Sequence, residues 1–268
     1  MRIAAIQLTA GLDAERNRLH IASALSEVGR THGQLDLVVL PEASQRGFGP
    51  PEESLAPVAE SLQGPFVSTL TTAAADLGAV VVGGMFEAVK HGHPYNTLVA
   101  VGPEGIRSIY RKTHLYDAFG QSESDRLQAG PTEPAVVDLG HSRVGLMTCY
   151  DLRFPEQARV LVDAGADVVV VPAAWWAGPH KVLHWRTLLT ARAIENTVWV
   201  AGVGQAGSRF CGSSLVLDPA GEVAGELGSE DGVLVVDVDL ERVAQVRLTN
   251  PSLANRRWQV VPLSPPTA

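Results

Sequence analysis

Short runs of uninterrupted apolar residues, separated by longer stretches with helical spacing, constrain this chain more than any other feature. Residues 3–8, 35–40, 79–85, 97–101, 143–147, 167–171, 198–203 and 232–238 have the character of strands. Several of them are continuous Val, Leu, Ile and Ala, and a strand with no polar face must be covered on both sides. Between them, residues 14–29 place Ile21, Leu25 and Val28 on one helical face, with Gly29 as a stop signal. Residues 181–197 repeat the pattern with Val182, Trp185, Leu189 and Ala193. The alternation predicts an α/β fold with helices packed on sheets. Near the end, residues 213–217 and 222–227 flank Asp218-Pro219-Ala220-Gly221, a strand–turn–strand signal. That hairpin implies antiparallel pairing and disfavours a purely parallel sheet. No internal repeat or low-complexity linker divides the chain, so one domain is expected over 1–262, followed by an extended tail over 263–268.

Composition narrows the function classes. Hydrophobic residues make up 46% and charged residues 19%, enough to build a core. The net charge of −8 and pI near 5.5 argue against the basic surface that a nucleic-acid partner requires. No apolar stretch approaches the roughly 18 residues of a membrane span, and the N-terminus lacks the apolar core of a signal peptide. Two distant cysteines, Cys149 and Cys211, do not form a disulfide framework, although a single bridge stays open. A soluble protein of the reducing cytoplasm is the expectation.

Three residues follow apolar strands where a charge or thiol needs a reason. Glu42 ends Leu37-Val38-Val39-Leu40-Pro41-Glu42, where Pro41 stops the strand ladder. Lys112 follows the strand-like residues 106–110, and Cys149 ends Val144-Gly145-Leu146-Met147-Thr148-Cys149. Beyond Cys149 lies a turn rich in charge, with a helix starting near Pro155. Taken singly, a cysteine there is a small core residue and the other two are solvated charges. Taken together, a carboxylate, an ammonium and a thiol supply a base, an oxyanion partner and a nucleophile. Spacing alone does not bring them together.

Leu40-Pro41-Glu42, Tyr110-Arg111-Lys112-Thr113-His114-Leu115 and the segment from Gly145 through Cys149-Tyr150-Asp151-Leu152-Arg153-Phe154-Pro155-Glu156 resemble the three signature segments of the nitrilase, or carbon–nitrogen hydrolase, superfamily. The resemblance extends to Ile3-Ala4-Ala5-Ile6-Gln7 and Ala191-Arg192-Ala193-Ile194-Glu195-Asn196, and is strongest to the Nit-type branch of ω-amidases and deaminated glutathione amidases. It implies a four-layer αββα sandwich, pairing into homodimers or larger assemblies, and a cofactor-free Glu-Lys-Cys triad acting on a small amide. Glu42 would be general base, Cys149 nucleophile, and Lys112 with the Tyr150 backbone N–H the oxyanion donors. Glu123 matches a second family glutamate that orients the lysine or the substrate amide; its alternative is a loop surface charge. Gln121-Ser122 departs from a more aromatic version of that loop.

Arg153 stands where the carbamoylase branch places a carboxylate-binding arginine, so the implied substrate is an amide with a remote carboxylate. The alternative is a salt bridge from Arg153 to Asp151 or Glu156. Trp175 and Trp176 either wall the pocket or pack in the core, and Tyr116 and Asp117 either shape its mouth or are ordinary loop polarity. Tyr150-Asp151 in place of a Trp-Glu pair favours amide over nitrile hydrolysis, with carbamoyl hydrolysis as first alternative. A non-catalytic binding or assembly protein on the same scaffold is the competing class; a thiol redox protein lacks a Cys-x-x-Cys pair.

The remaining candidates are weaker. His180 and His184 have metal-compatible spacing without a supporting carboxylate motif, so no metal is expected. His91-Gly92-His93 reads as an exposed turn, Cys211 as structural, and Glu195 as a structural acid needing partners. Gly83-Gly84 matches no phosphate-binding pattern.

Overall fold

The computed structural model describes residues 1–263. In chain order the first half supplies β1 (Arg2–Gln7), α1 (Ala14–His32), β2 (Leu37–Val39), α2 (Pro65–Leu77), β3 (Val80–Glu87), β4 (Tyr95–Gly102) and β5 (Gly105–Arg111). The second half supplies β6 (Val136–Asp138), β7 (Arg143–Leu146), α3 (Pro155–Asp163), β8 (Val168–Ala173), α4 (Lys181–Asn196), β9 (Trp199–Gly204), β10 (Leu215–Leu217), β11 (Val223–Glu226), β12 (Gly232–Asp237) and α5 (Glu241–Thr249).

Two six-stranded sheets result, ordered β12-β1-β2-β3-β4-β5 and β11-β10-β9-β8-β7-β6. Each has three parallel strands at its centre, β1-β2-β3 and β7-β8-β9, with antiparallel strands outside them. The apolar runs explain the layering. Ile3, Ala5, Leu37, Val39, Val80 and Val82 of one sheet share a core with Val144, Leu146, Val168, Val170 and Ala201 of the other. Their alternating neighbours Ala4, Ile6, Val38 and Val81 face Ile21 and Leu25 of α1 and Phe66 and Leu70 of α2. On the far side Val169, Val171 and Val200 meet Leu161 of α3 and Trp185 and Leu189 of α4. The fold is therefore the expected αββα sandwich, and its strands lack polar faces because both faces are covered. The hairpin expected around Asp218 is β10–β11, antiparallel with a register shift at Val216/Leu217.

One helix reading needs correction, while the helix expected near Pro155 is α3. Gly29 does not stop α1, which continues to His32 and is capped by Gly33 at φ 70°. Gly29 instead serves packing: a Cβ there would lie 2.5 Å from Cδ2 of Leu77 on α2. Between Cys149 and the helix starting at Pro155 the chain forms a 3-10 turn over Cys149–Arg153. The sequence reading also passed over α2, α5 and the short β6, although Gly64-Pro65 and the left-handed Gly78 bracket α2 in the usual way. Of the expected tail only Leu263 is described, and it is exposed; 264–268 lie outside the described residues.

Candidate active site

The ends of β2, β4, β5, β7 and β8 converge on one pocket, with about 770 Å³ of empty space including its open mouth. Glu42, Lys112, Glu123, Cys149, Tyr150, Arg153, Trp175, Trp176 and Tyr116 all line it. The sequence candidates separated by more than a hundred residues are thus brought together.

Glu42 arrives three residues beyond β2. The chain there comes so close to β3 that a Cβ on Gly84 would sit 2.6 Å from the Ala43 nitrogen and 2.8 Å from Glu42 Cα. Only glycine accommodates that approach. Ala43 adopts φ 52°, and Gln205 Nε2 donates to the Glu42 carbonyl at 2.7 Å, holding the turn from the opposite sheet. Both oxygens of the Glu42 carboxylate are then held in place, with one acceptor position on Oε2 left over. Its Oε1 accepts from Lys112 Nζ at 3.0 Å and from Asn96 Nδ2 at 2.7 Å, while Oε2 accepts from the Ala174 N–H at 2.6 Å.

Lys112, 1% exposed, lies between two carboxylates, donating to Glu123 at 2.8 Å (Oε2) and 3.1 Å (Oε1) as well as to Glu42. Burial by itself would push this ammonium down, but the charges of Glu123 and Glu42 outweigh it and hold Lys112 well above the usual lysine range. Burial raises Glu123 above the ordinary carboxylate range, opposed by Lys112 and reinforced by Glu42. Glu123 Oε2 also accepts from the Tyr116 N–H at 2.6 Å. Glu123 is therefore a buried partner of the lysine and not a loop surface charge.

Cys149 opens the 3-10 turn in a left-handed conformation, φ 48°, at the exit of β7. A non-glycine residue held there is strained, a cost associated with functional sites. The turn is secured by Asp151, fully buried, whose carboxylate accepts from the Thr148 N–H at 2.9 Å, the Tyr110 hydroxyl at 2.6 Å and the His114 N–H at 3.1 Å. One side chain thus ties the cysteine turn to Tyr110 and His114, on either side of Lys112. Burial raises the Cys149 thiol well above its usual range, and the Glu42 charge adds to this against the pull of Lys112. Cys149 therefore rests as a thiol. No described hydrogen bond uses the Tyr150 backbone N–H.

Arg153 makes neither of the salt bridges considered from sequence. Asp151 is occupied as above, and Arg153 takes part in no described ion pair; its guanidinium lies 4.9 Å from the Trp175 ring and 5.3 Å from the Phe119 ring. Trp175 does both of its alternatives, lining the pocket while packing at 5.3 Å against Trp185. Glu195 pairs with Arg192 at 2.8 Å, and both cysteines are free thiols. His180 is the residue before α4 and His184 stands in its first turn, with ring centroids 6.5 Å apart.

Two residues escaped the sequence reading. Asn96 bridges Glu42 and Glu123 through one amide, at 2.7 and 3.1 Å; an asparagine inside the β4 sequence carries no local signal of that role. Lys181 also lines the pocket, and here a signal existed. Of 21 cationic residues 18 are Arg, and two of the three lysines, Lys112 and Lys181, face this cavity.

Residues 2–248 match the family model described as carbon–nitrogen hydrolase. A deaminated glutathione amidase of Escherichia coli O157:H7 is 35% identical over 258 residues, covering 96% of this chain and 98% of that protein. An (R)-stereoselective amidase of Pseudomonas sp is 37% identical over 262 residues, covering 96% and 92%. Among solved structures, a glutamate-to-glutamine variant of an amidase from Nesterenkonia sp. AN1 is similar at a TM-score of 0.79 and 30% identity, covering 96% of this chain and 94% of that one. That structure shows covalent addition of the acetamide moiety of fluoroacetamide at its active-site cysteine.

Proposed function

This chain belongs to the carbon–nitrogen hydrolase family, and on that premise we propose that it is a thiol amidohydrolase converting a small carboxylate-bearing amide to a carboxylic acid and ammonia. The observation that carries the reading is the single buried cluster of Glu42, Lys112 and Glu123 beside Cys149. As the Cys149 sulfur attacks the amide carbon, its proton passes to Glu42, the only neighbouring carboxylate not doubly bonded to Lys112. Negative charge develops on the carbonyl oxygen, where the Lys112 ammonium and the Tyr150 N–H provide donors. Glu42 returns the proton to the departing nitrogen, ammonia leaves, and a thioester remains on Cys149. Water then attacks the thioester, giving its proton to Glu42; the acid is released and the thiol restored. Glu123 and Asn96 hold Lys112 and Glu42 in register throughout. The amidases among its relatives support amide over nitrile chemistry.

Arg153 supplies the specificity in this reading, since its guanidinium faces the pocket without a carboxylate partner. The test is ammonia release on a panel of ω-amides of dicarboxylic acids, deaminated glutathione, neutral aliphatic amides, N-carbamoyl acids and nitriles. Carboxylate-bearing amides should lead, and Arg153→Lys should raise their KM about tenfold with little change for neutral amides. An equal effect on both rows would remove Arg153 from substrate recognition.

We also propose that two copies pair. Leu248, Trp258, Val261 and Leu263, from α5 to the end of the described residues, are each more than half exposed, apolar side chains that a second copy would cover. Light scattering should give at least twice the 28.4 kDa chain mass; a monomeric mass at micromolar concentration would refute pairing. The free thiols fit a reducing compartment, and among the described residues no helix is long and apolar enough to cross a membrane.

A further inference from the structure

The charges lining the pocket do not balance. Its carboxylates, Glu42 and Glu123, are both committed to Lys112, yet Arg126, Arg153, Lys181 and Arg209 line the same space with no carboxylate partner among the described ion pairs. Arg126 is held by the Phe48 and Glu53 carbonyls and Arg209 by the Gly49 carbonyl, which leaves Arg153 and Lys181 without a backbone carbonyl on their charged ends. Lys181 begins α4, and its ammonium donates to the Tyr116 hydroxyl at 3.0 Å. It also stands 3.8 Å from the Phe119 ring centroid and 5.5 Å from that of Tyr116. Aromatic faces hold a cation in place while leaving N–H donors unused. Phe119 is shared, because the Arg153 guanidinium lies 5.3 Å from the same ring. The two cations are coupled a second time through Trp175: Arg153 stacks on its ring, and its Nε1 donates to the Lys181 carbonyl at 2.9 Å. Arg153 Nε is buried without a partner.

We infer that Lys181 is a specificity-determining residue, forming with Arg153 a two-cation subsite for the anionic end of the substrate. This rests on the amidase reading above and deepens it. Arg153 offers the planar fork that fixes a carboxylate's orientation, and Lys181 adds a compact charge beside the same Phe119 ring. Lys181 takes no part in proton transfer, since Lys112 already occupies the position between the carboxylates.

The test compares glutaramate, the monoamide of a five-carbon diacid, with valeramide, its uncharged counterpart. Lys181→Gln should raise KM for glutaramate about tenfold, leave kcat within about twofold, and flatten the dependence of kcat/KM on ionic strength. The KM for valeramide should move far less than that for glutaramate, so the glutaramate-to-valeramide ratio of kcat/KM should fall. Lys181→Arg should retain most of the glutaramate preference, and Lys90→Gln, which removes an exposed lysine elsewhere, should alter neither substrate. Tyr116→Phe, which frees the ammonium from its hydroxyl anchor, should give an intermediate rise for glutaramate. If wild type prefers glutaramate and Lys181→Gln keeps that preference, or loses both substrates equally, the inference fails while the role of Arg153 stands. If wild type shows no preference for glutaramate, the carboxylate reading itself fails.

Discussion

Replacing Cys149 by Ala is expected to lower ammonia release by roughly four orders of magnitude or more, while the protein keeps its fold. The substitution removes the Cys149 thiol from the pocket lining and leaves the Lys112 bonds to Glu42 and Glu123 in place, since those run directly from Nζ to the carboxylates. Far-UV circular dichroism and the denaturant midpoint should stay close to wild type. Binding should survive too, so amide substrates should still protect the variant thermally. Turnover within tenfold of wild type would exclude Cys149 as nucleophile and return the residue to a packing role.

Lys112→Met should be the most damaging single change, because it strikes stability and chemistry together. Two buried carboxylates would lose their shared counter-ion, a loss of about 3–5 kcal/mol for a broken buried pair. Turnover should fall about a thousandfold from the missing oxyanion partner. The pH dependence has a definite sign. Burial already raises Glu123, and Lys112 is the group opposing that rise. Without the ammonium the folded form favours the protonated acid more than the unfolded chain does, so the variant should gain stability relative to wild type as pH falls toward the carboxylate range. Adding Glu123→Gln should recover much of the stability at neutral pH and none of the activity. Urea midpoints of the single and double variants between pH 5 and 8 measure this directly; identical midpoints at neutral pH for wild type and Lys112→Met would show that the cluster does not depend on its cation.

The parts of this molecule legible in sequence were those written in local pattern. The apolar runs of β1, β2, β3, β8 and β9 state that both faces are covered, and the turn at Asp218 to Gly221 states an antiparallel hairpin. The triad residues were visible through resemblance, as separate segments with assigned roles. Less visible was what depends on distance across the fold. Asn96 looks like a polar interruption in a strand until its amide is seen between Glu42 and Glu123. Gly29 has the local look of a terminator, but its lack of a side chain answers to Leu77 on another helix. Asp151 and Arg153 are two residues apart and of opposite charge, yet one faces the cysteine turn and the other the pocket, so no bridge forms between them.

The site draws on both sheets. Glu42, Asn96 and Lys112 come from the first, and Cys149 and the Ala174 N–H from the second, with the bond from Ala174 to Glu42 spanning 132 positions of chain. Neither half of the polypeptide contains the machinery in incomplete but working form. Contacts of such long sequence separation are closed late, after the local hairpins and strand–helix units have formed. On the proposed mechanism, enzymatic competence is in this sense a timestamp: a chain whose two sheets have not docked lacks the assembled Glu42, Lys112 and Cys149 and should be chemically silent.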